Sequence, residues 1–162
     1  MRHRGPDAAG TWHDGDAAFG FNRLSIIDLE HSHQPLRWGP EDEPDRYAMT
    51  FNGEIYNYVE LREELKGLGY TFHTEGDGEP IVVGYHHWGK DVVNHLRGMF
   101  GIVIWDTHTK TMFAARDQFG IKPLYYATTE AGTVFASEMK CILEMADELG
   151  LDLNLDLSLI HI

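Results

Sequence analysis

Residues 101–106, GIVIWD, are apolar on both faces, and residues 111–116, TMFAAR, follow after a short polar connection. Successive side chains of a strand point to opposite faces, so a run with no polar face predicts a strand buried on both sides. Two buried strands of a hairpin are implied, and a second hairpin is predicted from residues 124–127 and 134–136 around Glu130-Ala131-Gly132. Residues 19–29 and 47–51 read as two earlier strands, the second after the acidic loop 41–46 with its flanking Pro40 and internal Pro44. Asn57 followed three residues later by Glu60 resembles a capping box. Tyr58, Leu61, Leu65 and Leu68 then recur on one helical face, up to the stop at Gly67-Leu68-Gly69. Asp77 is placed to cap a second helix, residues 79–88, with Pro80 in its first turn and Gly89 at its end; Ser137 is placed to cap a closing helix through Met145. Antiparallel hairpins with helices segregated from them predict an α+β layered domain and exclude a doubly wound parallel one.

The length of 162 residues suits one domain, and 43% hydrophobic residues exclude a disordered chain. No stretch approaches the ~20 apolar residues that cross a bilayer, and the first residues lead into no apolar signal core. One cysteine, Cys141, forms no internal disulfide and fits a reducing cytosol, so a soluble cytoplasmic protein is expected. A net charge of −13 repels phosphate backbones and anionic membranes, which excludes nucleic acid and membrane as partners. Ten histidines are scattered; the close pairs His31/His33 and His86-His87 lack carboxylates or cysteine at ligand spacing, so solvated surface histidines and no metal are expected.

Three features point to chemistry. Phe51-Asn52-Gly53-Glu54-Ile55-Tyr56-Asn57 places an amide, a glycine and a carboxylate where a strand turns towards a helix. An Asn side-chain N–H beside a Gly backbone N–H supplies two donors for the oxyanion that develops on a polarised carbonyl, and Glu54 suits an amino group. The alternative is a plain tight turn, for which Asn-Gly is the favoured dipeptide. Arg23, within an otherwise apolar strand, either clamps a substrate carboxylate or pairs internally with Asp28 or Asp7. Asp77 caps the second helix, or joins Glu54 in holding an ammonium group. Together these residues suit a free α-amino acid with a reactive side-chain carbonyl, but the set has no nucleophile.

A run of motifs in chain order from residue 2 to about residue 145 carries a resemblance: Arg2-His3-Arg4-Gly5-Pro6-Asp7, Asn22-Arg23-Leu24-Ser25-Ile26-Ile27-Asp28, Gln34-Pro35-Leu36, the segment Phe51 to Asn57, Arg116-Asp117 with Phe119-Gly120-Ile121-Lys122-Pro123-Leu124-Tyr125-Tyr126, and Phe135-Ala136-Ser137-Glu138. They resemble the N-terminal class II glutamine amidotransferase domain of glutamine-hydrolysing asparagine synthetases. The resemblance implies an α+β N-terminal-nucleophile hydrolase-like fold, a four-layer αββα sandwich whose first strand would be missing here. It implies that Asn52 and Gly53 form the oxyanion hole and that Arg23, Leu24, Ser25, Ile26, Ile27, Asn52, Gly53, Glu54 and Asp77 bind glutamine. Arg4 would lie near the ammonia exit. It further implies ammonia transfer to an ATP- and Mg-using synthetase domain outside this chain that amidates aspartate, a homodimer of the intact protein, and no cofactor in this chain. At Asp77 the chain reads Gly76-Asp77-Gly78-Glu79, where the family more often has Ser-Asp-Thr-Glu.

In this family the nucleophile is a cysteine at the mature N-terminus, with the terminal amine as base. This chain begins with Met1, and Cys141 falls in the closing helix, so the isolated chain is expected to be inactive. Residues 1–156 read as a partial amidotransferase domain. Residues 157–162, LSLIHI, resemble the translation of a transposon-end sequencing adapter and are set apart as a suspected adapter-derived tail. Two alternatives stand beside this reading: another class II amidotransferase, and a non-catalytic glutamine-binding or interaction module.

Overall fold

The doubly apolar run lies in the middle of the larger sheet. In the computed structural model, residues 5, 8–23, 33–130, 132–145 and 148 are described, in two compact units, residues 1–122 and 123–162. The first unit holds the strands β1 (Ala8–His13), β2 (Ala18–Arg23), β3 (Leu36–Trp38), β4 (Tyr47–Ile55), β5 (Gly98–Asp106) and β6 (Thr111–Arg116). Its helices are α1 (Tyr58–Gly67) and α2 (Glu79–Trp88), followed by a 3-10 helix, Gly89–Asn94. β3, β4, β5 and β6 form an antiparallel sheet in that order, and β1 pairs with β2 as a separate antiparallel hairpin.

Strand alternation sorts β4 and β5 into two faces. Tyr47, Met49, Phe51 and Ile55 of β4, with Phe100, Ile102 and Ile104 of β5, join Leu61 and Leu65 of α1 and Ile81, Val82 and Val83 of α2 in one buried core. The opposite face carries Ala48, Val103 and Trp105, which are also buried, and beside them Thr50, Asn52 and Glu54, which are half-buried. The β1–β2 end of the chain meets this second face: Trp105 Nε1 donates to Asp14 Oδ2 at 2.8 Å, and β2 packs against β4. Burial on both sides explains why 101–106 carries no polar face.

The second unit contains the hairpin β7 (Tyr125–Thr129) and β8 (Gly132–Ala136), with α3 (Met139–Glu144) packed on it. The α+β class and both predicted hairpins are therefore present. Several local expectations are corrected. β4 does not stop at Phe51 but runs on through Asn52, Gly53 and Glu54, paired residue by residue with β5. The Asn57 side chain does not cap α1: its Nδ2 donates to His95 O at 2.9 Å and its Oδ1 accepts from Arg97 N at 2.8 Å, stitching the turn to the 95–97 segment. Leu68, predicted on the buried face of α1, is half exposed, because the helix has ended before it. No side-chain cap serves α2 or α3, so neither Asp77 nor Ser137 acts as one. His86 is not a solvated surface histidine; it is half-buried, edge-on to Trp38 at 5.3 Å, with Nδ1 3.1 Å from the Tyr47 hydroxyl. The strand expected over 19–29 is described as β2 up to Arg23; residues 24–30 and the tail 157–162 lie outside the described residues.

Candidate functional site

Asn52, Gly53 and Glu54 are consecutive on β4, so the strand itself separates them. Asn52 and Glu54 point to the face on which β2 packs, while Gly53 lies on the helix-side face. This excludes the tight-turn reading of Asn-Gly, since the chain turns only at Tyr56 and Asn57. Glycine is required here for a steric reason. A Cβ on Gly53 would lie 2.1 Å from Met99 O, and one on Gly98 would lie 2.1 Å from Glu54 O, so β4 and β5 approach too closely for any side chain at either place.

The direction of the Gly53 N–H follows from its neighbours. Backbone N–H groups of residues i and i+2 leave a strand on the same edge. Among the described residues, the main-chain pairing of β3 with β4 runs from Trp38 opposite Tyr47 to Leu36 opposite Met49. One step on, the Gln34 carboxamide takes the place of a backbone: its Oε1 accepts from Phe51 N at 2.7 Å and its Nε2 donates to Phe51 O at 2.8 Å. Two residues past Gly53, Ile55 N donates to Asp77 Oδ2 at 3.0 Å. The Gly53 N–H therefore points to the β3-side edge of the sheet, between a carboxamide and a carboxylate.

Asp77 is buried, and burial pushes its carboxyl above the ordinary value; the nearby Glu54 charge adds to this while the Ile55 N–H opposes it. Its loop is fixed by charges on both helices. Arg62 of α1, itself buried, bonds Glu75 Oε2 at 2.5 Å and Gly76 O at 2.8 Å. Glu79, in the first turn of α2, accepts from His73 N, Thr74 N and Thr74 Oγ1. Asp77 thus reaches the β4 edge from a loop held by both helices.

On the opposite side of β4, Gly53 faces Phe100 in the ladder, and Asn52 faces Gly101, which in turn faces Arg116. Asp117 N donates to Phe100 O at 2.8 Å, and the Asp117 carboxylate accepts from the N–H groups of Phe100, Phe119, Ile121 and Lys122. Burial opposes its charge, but these donors hold the carboxyl below its ordinary value. Arg116 closes the same loop through Gly120 O and Lys122 O.

Of the residues expected at the site, the structure brings Asn52, Gly53, Glu54 and Asp77 together, and Arg23 ends β2 opposite Ala8, on the hairpin that packs against β4. Arg4 and Leu24, Ser25, Ile26 and Ile27 lie outside the described residues. Cys141, half-buried in α3, belongs to the other unit. Among the described residues no cluster of three or more His, Cys, Asp or Glu is arranged for a metal ion, and no helix is long and apolar enough to cross a membrane. Sequence reasoning assigned nothing to Gln34, Arg62 or Asp117. Gln34 and Asp117 both stand in motifs that carry the resemblance, and Asp117 also precedes a Gly-containing loop, where Asx-type bonding is common.

The chain from residue 1 to residue 159 matches the model of the glutamine amidotransferase domain. It is 60% identical over 162 residues to a protein of Mycobacterium tuberculosis (strain ATCC 25618 / H37Rv) provisionally named as a glutamine-hydrolysing asparagine synthetase, covering 96% of this chain and 25% of that protein. It is 47% identical over 150 residues to asparagine synthetase [glutamine-hydrolysing] 1 of Bacillus subtilis, covering 93% of this chain and 23% of that one. The chain thus spans about a quarter of the length of these relatives. Among solved structures, the glutamine phosphoribosylpyrophosphate amidotransferase of B. subtilis matches with a TM-score of 0.62 at 24% identity, over 82% of this chain and 29% of that one, a likeness of fold. The layered α+β architecture is accordingly that of the N-terminal-nucleophile amidotransferases, and this chain belongs to the glutamine amidotransferase domain family.

Proposed function

We propose that this chain is the glutamine-hydrolysing part of a glutamine-dependent asparagine synthetase. The observation that carries the proposal is the composition of the β4 edge: a main-chain N–H from Gly53, the Asn52 amide on the adjacent face, and two carboxylates, Glu54 and Asp77, beside them. An amide carbonyl needs hydrogen-bond donors where its oxygen becomes an oxyanion, and an α-ammonium group needs carboxylates. In this reading Asn52 and Gly53 receive the oxyanion, Glu54 and Asp77 hold the amino group of glutamine, and Arg23 pairs with its α-carboxylate. Leu24, Ser25, Ile26 and Ile27 line the pocket, with Arg4 near the ammonia exit.

In the intact enzyme a cysteine thiolate at the mature N-terminus attacks the side-chain amide carbon. The tetrahedral intermediate collapses as the C–N bond breaks, ammonia leaves with a proton relayed by the terminal amine, and water hydrolyses the thioester to glutamate. The ammonia amidates aspartate in a ligase reaction for which ATP and Mg bind outside residues 1–162. The protein acts in the cytoplasm, as a homodimer.

The test is calorimetry of glutamine with the 162-residue chain, beside an assay of glutamate release. Glutamine binding that weakens about tenfold in Asn52→Ala, equivalent to loss of one hydrogen bond of ~1.4 kcal/mol, is expected. No glutamate release is expected, because the one cysteine, Cys141, lies within α3, where its own nitrogen is a peptide nitrogen and not a terminal amine. A folded chain that takes up no glutamine would refute the proposal.

A further inference from the structure

We propose that Gln34 is a positioning residue of the amide-activating site, on the reading that Gly53 is an oxyanion donor. β3 is three residues long, and among the described residues its main-chain pairing with β4 reaches Met49. Gln34 satisfies Phe51 with its side chain, accepting from the N–H at 2.7 Å and donating to the carbonyl at 2.8 Å. A carboxamide reproduces the donor and acceptor of a peptide unit, so it holds Phe51, two residues before Gly53, as a neighbouring strand would.

The backbone around Gln34 is itself tightly placed. A Cβ on Gly10 would lie 2.1 Å from Gln34 O, so β1 lies directly against the Gln34 carbonyl and fixes where the carboxamide starts. On the far side, Asp77 holds Ile55 N. Phe51 and Ile55 are thus pinned at equal distances along the strand from Gly53, each by a side chain, and the amide between them is oriented by both. Of the two clamps Gln34 is the one that carries no net charge, so it sets geometry without placing a charge beside the oxyanion position.

The test uses the 162-residue chain and three variants, with the Gly53 amide resonance in 15N–1H spectra and glutamine affinity by calorimetry as readouts. In Gln34→Glu the carboxylate still accepts from Phe51 N–H but faces the Phe51 carbonyl with no donor; Gln34→Ala removes both bonds. Both are expected to shift the Gly53 amide and to weaken glutamine binding at least fivefold. Leu65→Ala, a core truncation in α1, lowers the melting temperature while leaving the Gly53 resonance and the affinity unchanged, which separates positioning from general destabilisation. If Gln34→Glu and Gln34→Ala behave like Leu65→Ala in both readouts, the proposal is overturned. Should Gln34→Ala fail to fold, Gln34→Glu, which keeps one bond, decides on the same readouts. Absence of glutamine binding by the wild-type chain would overturn the glutamine reading instead, and the response of the Gly53 amide would still decide the role of Gln34.

Discussion

Single residues at this site are chosen by geometry that a local reading of the sequence does not contain. Asn52-Gly53 has the composition of a turn, and only the ladder with β5 shows that Gly53 is there because two strands come too close for a Cβ. Gly53→Ala is therefore expected to cost about 1–3 kcal/mol, the usual penalty for overpacking, and to lower the midpoint of urea unfolding. Gly67→Ala, where nothing lies within 4 Å of an added Cβ, serves as the control and leaves the midpoint unchanged or higher. His86 gives a pH dependence. Burial first, then the Arg46 and His87 charges, push its imidazole below the ordinary value of 6.5, with Asp106 and Asp42 acting in the opposite sense. The unfolded chain therefore takes up the proton first as pH falls, and the stability contributed by the neutral ring is complete above 6.5 and lost as pH falls from there towards the folded value. Between about pH 7.5 and about pH 5.5 the urea midpoint should fall in the wild-type chain and fall less in His86→Phe; parallel curves would show that another group is responsible.

At the level of elements, the loops that carry the site are held by buried charges. α1 reaches the 75–76 segment through Arg62, whose guanidinium also lies over the Tyr58 and Phe72 rings at 5.7 and 5.5 Å. Arg62→Ala deletes the two hydrogen bonds and this stacking, while the partner Glu75 is 91% exposed. A loss of roughly 1–3 kcal/mol is expected, together with faster amide exchange over residues 73–78. An Arg62→Ala chain with unchanged exchange there would show that Glu79 alone orders the loop. The limits of α2 and β6 were legible from Pro80, Gly89 and the TMFAAR run, because proline, glycine and apolar runs act locally. The caps were not. Asn57 and Asp77 have the chemistry of caps, but each finds a partner distant in sequence, His95 and Arg97 for Asn57 and Ile55 for Asp77. A short polar side chain bonds whichever backbone group is nearest in space, and sequence distance does not measure that.

For the molecule as a whole, the net charge of −13 opposes compaction through self-repulsion. Raising sodium chloride from about 10 mM to about 200 mM shortens the Debye length from roughly 30 Å to under 10 Å, so the melting temperature should rise with salt. A fall would mean that pairs such as Arg46–Asp106, at 2.8 Å, outweigh the general repulsion. The sequence by itself determined the α+β class, both later hairpins, the extent of α2 and the family, because apolar period and a series of ordered motifs are properties of the chain read along its length. The tertiary structure alone decided that the Asn-Gly pair lies in a strand, that Gly53 directs its N–H to the β3-side edge between Gln34 and Asp77, that Arg62 holds the loop carrying Asp77, and that Asp117 orders the loop after β6. Each of these depends on which backbone groups meet across 10 to 20 residues or more of intervening chain, and hydrogen bonding between such groups is fixed only when the sheet and its helices have packed.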